Sequence, residues 1–279
     1  MAVLNPLGVI GGSGLYELLD GARQETVPTP WGEASGPVTL GEVAGRPVAF
    51  LARHGEGHRY PAHLVNYRAN VWALAAVGAR RLLAPGAVGS LDATLLPGSL
   101  VVVDQVVDRT WGRAHTYVDS PGAAAHVGFG DPYCPSLRVD LLDAARRQEV
   151  AAVDGGTMVV INGPRFSSRA ESRWHSAQGW SVVGMTGMPE ASLAREQGLC
   201  YAAVSMVTDL DAGLQEGGGV TQAEVLEVFA ANLAAVRRVL LDVAGQADGV
   251  PSGCPCSSAL DGIDPPYPVA AHDPKQSRR

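Results

Sequence analysis

Apolar residues are arranged along the chain in two alternating patterns that predict different secondary structures. Short apolar runs without a helical period, such as residues 182–185 and the uncharged residues 199–207, are typical of strands buried in a sheet. Between such runs, residues 66–77 carry apolar positions at helical spacing, and Gly78 ends the pattern. This alternation indicates an α/β fold with helices on both faces of a sheet. The predicted strands are residues 8–10, 47–52, 80–84, 100–107, 157–161, 182–185 and 199–207, and the predicted helices are residues 66–77, 136–152, 168–178, 189–197 and 221–244.

The end of the chain differs in composition from the rest. The last predicted helix begins at Thr221, and Glu224 follows three residues later, as in a capping box. From about Gly245 onward the sequence is rich in Pro, Ser and Gly and ends in a basic run. Such a segment has too few apolar residues to offset the entropy of ordering it. We therefore predict one domain over residues 1–245 and a disordered or loosely draped tail over residues 246–279.

Composition and charge limit the kinds of partner. The chain has 279 residues, 46% of them hydrophobic, which is enough for one large core. Its formal net charge is -7, so neither a nucleic acid nor an anionic membrane would attract it. We expect a small-molecule substrate instead. The sequence lacks both a membrane-spanning apolar run and the pattern of a secretory signal, which predicts a cytoplasmic protein.

Four cysteines in a chain of this length do not indicate a disulfide framework. Cys134 and Cys200 lie in segments with regular patterns and are predicted to be free thiols. Cys254-Pro255-Cys256 has the spacing of a pair that can bridge or bind a metal, but no second His/Cys pair stands near it in the sequence. We therefore predict no metal site.

Two carboxylates stand at the end of an apolar run, in Thr208-Asp209-Leu210-Asp211. Side chains two residues apart in a strand point to the same face, so both acids would face one pocket at the carboxyl edge of the sheet. Two like charges in a partly dry cleft raise the pKa of one acid, so that one carboxyl donates a proton while the other accepts. A helix N-cap followed by a solvated acid gives the same spacing, and both interpretations stay open at this point.

Polar or glycine-rich runs follow four predicted strands. They are Gly11-Gly12-Ser13-Gly14, Arg53-His54-Gly55, residues 84–90 and residues 185–190. Taken singly, each is explained equally well by a tight turn or a surface ion pair. Together, at one sheet edge, their backbone N–H groups, hydroxyls and arginine would form a cradle for an oxyanion such as phosphate.

Five motifs in this order resemble the trimeric purine nucleoside phosphorylase superfamily and, within it, the branch that cleaves 5'-methylthioadenosine. They are Ile10-Gly11-Gly12-Ser13-Gly14, Leu51-Ala52-Arg53-His54-Gly55, Val65-Asn66-Tyr67-Arg68-Ala69-Asn70, residues 163–171 and Thr208-Asp209-Leu210-Asp211. The resemblance covers residues 8–243. It implies a phosphorylase/hydrolase-like three-layer α/β sandwich with a mixed, partly barrelled sheet. It also implies a homotrimer, or a dimer of trimers, with sites at the subunit interfaces.

The resemblance assigns roles to particular residues. Inorganic phosphate is the implied co-substrate, with no cofactor and no metal. The implied phosphate-binding residues are Ser13, Arg53, His54, the backbone near Ala87, and Thr186. The implied nucleoside-binding residues are Met185 at the sugar, Phe166 and Ser167 near the base, and Asp209 and Asp211 facing the purine. Asp209 is the expected proton donor to N7, and the acid pair favours a 6-amino purine, because relatives selecting 6-oxopurines carry Asn at the Asp209 position.

A separate group of residues is implied for the 5' end of the nucleoside. The resemblance implies an apolar subsite formed by Val225 near the start of the last helix and by His126 from a neighbouring subunit. Gln222 stands where the family has an aliphatic residue, and its amide could bind a 5'-hydroxyl or face solvent. Adenosine and other 5'-modified adenosines therefore stay open. Nucleosides of 6-oxopurines, such as methylthioinosine, also stay open, because residues 183–190 resemble the branch of the family that cleaves methylthioinosine. A hydrolytic nucleosidase and a non-catalytic nucleoside binder are the remaining alternatives.

Overall fold

The computed structural model describes residues 5–12, 19–122, 124–212, 222–246 and 249–270. Within these residues, eleven strands form one mixed sheet that five α-helices cover. The strands are β1 (Leu7–Gly11), β2 (Asp20–Glu25), β3 (Val38–Val43), β4 (Arg46–Ala52), β5 (Arg81–Ser90), β6 (Leu100–Val102), β7 (Gln105–Arg109), β8 (Ala152–Asp154), β9 (Thr157–Ile161), β10 (Val182–Gly184) and β11 (Cys200–Leu210). The helices are α1 (Tyr67–Ala76), α2 (Pro135–Arg147), α3 (Arg169–Ala177), α4 (Gly187–Glu196) and α5 (Gln222–Gln246). None of these helices has the length and apolar character needed to cross a bilayer.

The sheet branches at β5. Its main path runs β2-β3-β4-β1-β5-β10-β9-β7, with β1 parallel to both β4 and β5. β11 pairs in parallel with the whole of β5 and carries β6 and β8 on its other side. The sheet therefore stays open rather than closing into a barrel. The predicted mixed α/β sandwich is confirmed.

Side chains of β11 alternate between the two faces of the sheet. Tyr201 and Ala203 belong to the apolar cluster under α1 and α4, whereas Ala202 and Val204 belong to the cluster under α2 and α5. A strand buried on both faces needs an apolar residue at every position, which explains its uncharged sequence. Three layers result, with the sheet in the middle.

Two of the helices begin at side-chain caps. The side chain of Asn66 accepts a hydrogen bond from the backbone N–H of Ala69 at the start of α1. Ser168 and Glu171 form a reciprocal capping box at the start of α3. The capping box expected at Thr221 lies outside the described residues.

Residues 84–90 differ from the sequence prediction, which assigned them to a glycine-rich turn. They continue β5 as far as Ser90, because β11 pairs with them along their whole length. Gly89 in this run marks a close approach to neighbouring side chains rather than a change of chain direction. Residues 100–107 form two strands rather than one, and β2, β3 and β8 were not predicted.

The segment after α5 also differs from the predicted disordered tail. Residues 249–270 follow a course of successive turns that packs against the domain. Tyr267 is 7% exposed; its ring lies 5.5 Å from that of Tyr117, and its hydroxyl donates to the backbone carbonyl of Glu196. The backbone N–H of Ala270 donates to Oε1 of Gln197. A few buried anchors thus order a segment of low average hydropathy; residues 247–248 and 271–279 lie outside the described part.

We expect Tyr267→Ala to lower the free energy of unfolding by about 3–5 kcal/mol, the usual cost of emptying a buried aromatic site. Asp264→Ala, at an exposed position three residues earlier, is the matched control and should change it by less than about 0.5 kcal/mol. Urea unfolding followed by fluorescence measures both. Equal stabilities for the two variants would mean that this segment is not packed in solution.

Candidate active site

A break in strand pairing along β5 lies at the centre of the candidate site. β1 pairs with β5 as far as Leu83, and β10 begins to pair with it at Gly89. Between them, residues 84–88 have no strand partner on that side among the described ladders; we call this stretch the β5 gap. Arg53, Ala87 and Thr186 line a cavity of about 20 Å³ at the gap. Three of the predicted phosphate-binding residues therefore lie together.

Arg53 follows β4 and is almost completely buried, with 3% exposure. Its Nε and Nη2 atoms donate to the two carboxylate oxygens of Glu190 at 2.8 and 3.0 Å. Nη2 also donates to the carbonyl of Ile10, and Nη1 to the carbonyl of Pro85. Burial alone would lower the pKa of Arg53, but Glu190 raises it above its ordinary value. Four of its five N–H groups thus donate within the described residues, which leaves one on Nη1.

His54 is held in one orientation by its neighbours. Its Nδ1 lies 2.8 Å from the carbonyl oxygen of Tyr60, and its ring stacks on His58 with 4.0 Å between centroids. Because a carbonyl only accepts, Nδ1 carries the proton and Nε2 is the free acceptor. Burial, together with the charge of Arg53, lowers the pKa of His54 to about 4. His54 is therefore neutral at pH 7.

Asp209 and Asp211 lie at the end of β11. The pairing register with β5 shifts between Val207 and Asp209, so Thr208 forms a bulge. Asp211 is 2% exposed and accepts a hydrogen bond from the Ser172 hydroxyl of α3. Oδ1 of the half-buried Asp209 lies 2.8 Å from the Thr208 hydroxyl. The alternative of a helix cap followed by a solvated acid does not fit, because these residues end a strand and Asp211 is buried.

Gly89 of β5 lies against both acids. A Cβ built on Gly89 would lie 3.0 Å from Oδ2 of Asp209, 3.1 Å from Cγ1 of Val183 and 3.4 Å from Cβ of Asp211. A side chain at this position would therefore push Asp209 out of place. The structure brings the two acids to one point of the sheet, at the end of the β5 gap.

The loop before α3 reaches the same region. Met185, which follows β10, lies so close to Gly163 that a Cβ there would be 2.6 Å from its Sδ. Further along this loop, Phe166 is half-buried and Ser167 is 8% exposed. The Ser167 hydroxyl is buried with no hydrogen-bond partner among the described residues. Such a group is costly to bury unless something else binds it, which suits a substrate contact.

Other predicted site residues are not brought to this point within the described chain. Ser13 lies outside the described residues. Gln222 and Val225 are placed on the first turns of α5, but the positions of their side chains are not described. His126 is exposed on a connection between β7 and α2.

Sequence reasoning missed three residues that the structure places in the site. Glu190 was noted only as part of a run, yet it is 0% exposed and binds Arg53. Ser172 holds Asp211 and gave no signal beyond its place on a helix. Ser205 lines the cavity at the gap, and its buried hydroxyl has no partner in the part of the chain described. A lone hydroxyl inside an apolar strand was the signal that could have found it.

Comparison with known proteins places this geometry among nucleoside phosphorylases. The sequence profile of the Phosphorylase superfamily matches residues 6–244. A purine nucleoside phosphorylase of Streptomyces coelicolor is 56% identical, with 93% of this chain and 95% of the relative aligned. An S-methyl-5'-thioadenosine phosphorylase of Mycobacterium tuberculosis is 55% identical over 84% of this chain and 86% of the relative.

A solved structure also superposes on the chain. The methylthioadenosine phosphorylase of Schistosoma mansoni in complex with adenine matches with a TM-score of 0.83 and 39% identity. The match covers 87% of this chain and 91% of that chain. The described fold is therefore the fold of that enzyme.

The lowered pKa of His54 gives a test of its buried, neutral state. An unfolded histidine titrates near pH 6.5, so the unfolded chain takes up this proton first as the pH falls. Stability present above about pH 6.5 is then lost as the pH falls toward 4. His54→Asn keeps an N–H donor for Tyr60 but does not titrate.

We expect wild type to lose about 2–3 kcal/mol more unfolding free energy than His54→Asn between pH 8 and pH 4.5. Urea unfolding at both pH values measures this difference. The comparison at pH 8, where both side chains are neutral, isolates any loss of packing in the variant. Parallel pH profiles would show that His54 titrates as an exposed histidine does.

Proposed function

The chain belongs to the phosphorylase superfamily, and on that premise we propose that it cleaves 5'-methylthioadenosine with phosphate. The products are adenine and 5-methylthioribose 1-phosphate, and the enzyme is a pentosyltransferase. One observation carries the proposal: two acids, one of them buried, meet at Gly89 beside a cavity that Arg53 and Thr186 line. A base-binding acid pair would thus lie next to an anion site.

We propose that phosphate occupies the β5 gap. Thr186, the backbone near Ala87, His54 and Ser13 would contact its oxygens. Arg53 would contribute its fixed positive charge and the N–H that is left on Nη1. Because Nε2 of His54 is an acceptor, it would bind the protonated oxygen of hydrogen phosphate, which leaves an unprotonated oxygen to attack C1'.

The acids act on the leaving base. Breaking the N9–C1' bond places positive charge on the sugar and negative charge on the purine, so a proton delivered to N7 lowers the barrier. Asp209 is the proposed donor. Asp211, which Ser172 and its own burial hold in place, would fix the base through the 6-amino group. Phe166 and Ser167 would flank the base, and Met185 would lie under the sugar.

The proposal also covers the 5' substituent of the sugar and the 6 substituent of the purine. Val225 and a neighbour's His126 would make an apolar 5' subsite, and Gln222 is the residue that favours adenosine as an additional substrate. A purine nucleoside phosphorylase from Streptomyces coelicolor is among the relatives, so 6-oxopurine nucleosides are the second candidate. Asp209 supports the 6-amino purine.

The assembly and the limits of the domain are also proposals. We propose a homotrimer in which His126 reaches a neighbouring site. Trp111 and Trp174, which are 65% and 44% exposed and line a cleft of about 370 Å³, support a subunit contact, because large exposed aromatics are typical of interfaces. We propose that the catalytic domain ends near residue 245, as the superfamily match to residue 244 supports. The cytoplasmic location stays a prediction.

The decisive experiment compares methylthioadenosine, adenosine and inosine side by side, each with and without phosphate. We expect methylthioadenosine to give the highest kcat/KM, with turnover only when phosphate is present and the sugar 1-phosphate as product. Adenine release without phosphate would identify a hydrolase. Preference for inosine would support the 6-oxopurine alternative, and no turnover of any nucleoside would leave only a binding protein.

For the acid pair, we expect Asp209→Asn to lower kcat/KM for the adenine nucleoside at least ~100-fold, the scale of losing one positioned proton donor. Asn keeps the size of the side chain and removes the acid. Asp92→Asn, at an exposed acid beyond the end of β5, should leave the rate unchanged. Near-wild-type turnover by Asp209→Asn would remove the role given to this residue.

A further inference from the structure

All four cysteines of the chain meet at one place in the fold. Cys134 caps the start of α2, Cys200 begins β11, and Cys254 and Cys256 lie in the turns that follow α5. Each is buried, and none is joined in a disulfide. Residues far apart in sequence thus contribute four thiols to one cluster, which we call the cysteine cluster.

The sulfur atoms are spaced as in a tetrahedral metal site. All four lie within 4.8 Å of one another. Sγ of Cys254 is 3.6 Å from Sγ of Cys134 and 3.5 Å from Sγ of Cys200. Four thiolates at a Zn–S distance of about 2.3 Å stand about 3.8 Å apart at the corners of a tetrahedron. Small shifts of the side chains would therefore complete the coordination.

The surroundings favour a metal over four unpaired thiols. Cys134 stands at the N-terminus of a 13-residue helix, and its Sγ lies 3.2 Å from the Ser136 hydroxyl. All four cysteines belong to a buried apolar cluster that also includes Leu137 and Val204. Four sulfur atoms at this spacing suit a single bound cation.

The position of the cluster indicates a structural role. Cys200 begins β11 and Asp209 stands nine residues further along it, so about 30 Å of strand separates the cluster from the acids. A metal here would join α2 and β11 to the segment 249–270. It would also help to order that segment, which composition alone predicts to be loose. Four protein ligands leave no open position for catalysis.

We propose that Cys134, Cys200, Cys254 and Cys256 bind one structural Zn²⁺ ion. The sequence predicted no metal site because Cys254-Pro255-Cys256 has no second pair close to it along the chain. The fold supplies the second pair from Cys134 and Cys200. The inference does not rest on the proposed function, since the cluster and the acids stand at opposite ends of β11.

The first test measures metal and thiols in the full chain, expressed in zinc-supplemented medium and purified without metal-affinity steps. We expect about one zinc per chain by mass spectrometry, and four thiols that become reactive only after denaturation with a chelator. Four thiols without zinc would mean that the cysteines pack as ordinary core residues, and fewer than four would mean disulfides. Either result overturns the proposal.

A second test uses variants and a spectroscopic probe. The double variant Cys254→Ser/Cys256→Ser should lack zinc and melt at a lower temperature, while its kcat at moderate temperature stays within about twofold of wild type. Ser258→Ala, an exposed change two residues away, should keep both the zinc and the melting temperature. If the double variant does not fold, wild type reconstituted with Co²⁺ decides. The intense charge-transfer and d–d bands of tetrahedral cobalt thiolate support the site, and their absence refutes it.

Discussion

The buried ion pair of Arg53 and Glu190 holds together the strands on which the site is built. Arg53 follows β4, bonds to β1 through the carbonyl of Ile10 and to β5 through that of Pro85, and reaches α4 through Glu190. The hydroxyl of Tyr201, on β11, donates to the same carboxylate. Removing two charges from water is costly, and only full hydrogen bonding of both partners offsets that cost. Four strands and a helix thus meet at one satisfied pair of charges.

This arrangement changes what the arginine can do for a bound anion. An exposed arginine can direct all the N–H donors of its guanidinium toward an oxyanion, whereas most donors of Arg53 already bind groups of the protein. In the proposed phosphate site its contribution would be a fixed field at the β5 gap, and the direct contacts would come from Thr186, His54 and backbone groups. Thr186 stands at the start of α4, and Glu190 anchors α4 by binding Arg53. The ion pair therefore also helps to position the hydroxyl of Thr186. Fixed dipoles of this kind need no rearrangement when charge develops during a reaction.

The sequence predicted most strands of the sheet because burial on two faces requires continuous apolar runs, as in β11. The sequence prediction was wrong where pairing with another strand decides the structure. The glycine-rich end of β5 was predicted to be a turn, but pairing with β11 keeps it in a strand. Motif reasoning placed Arg53, Thr186 and the two acids in one region. Parallel strands account for Arg53 and the acids, whereas Thr186 follows β10, which runs antiparallel to β5 and brings the chain back along the β5 gap. It could not find Glu190 as the partner of Arg53 or the meeting of four cysteines. Those depend on contacts between residues tens of positions apart.

The bulge at Thr208 has a consequence for how this enzyme family can diversify. Because of the extra residue, the side chains of Asp209 and Asp211 face Gly89. Inserting or deleting one residue there would rotate Leu210 into the place of the acids and turn both carboxylates away. If Asp209 binds the base as proposed, exchange of its single side chain would change the base preference without disturbing the strand pairing. At this end of the sheet, a side chain can be exchanged without changing the strand register, whereas an insertion or deletion of one residue changes it.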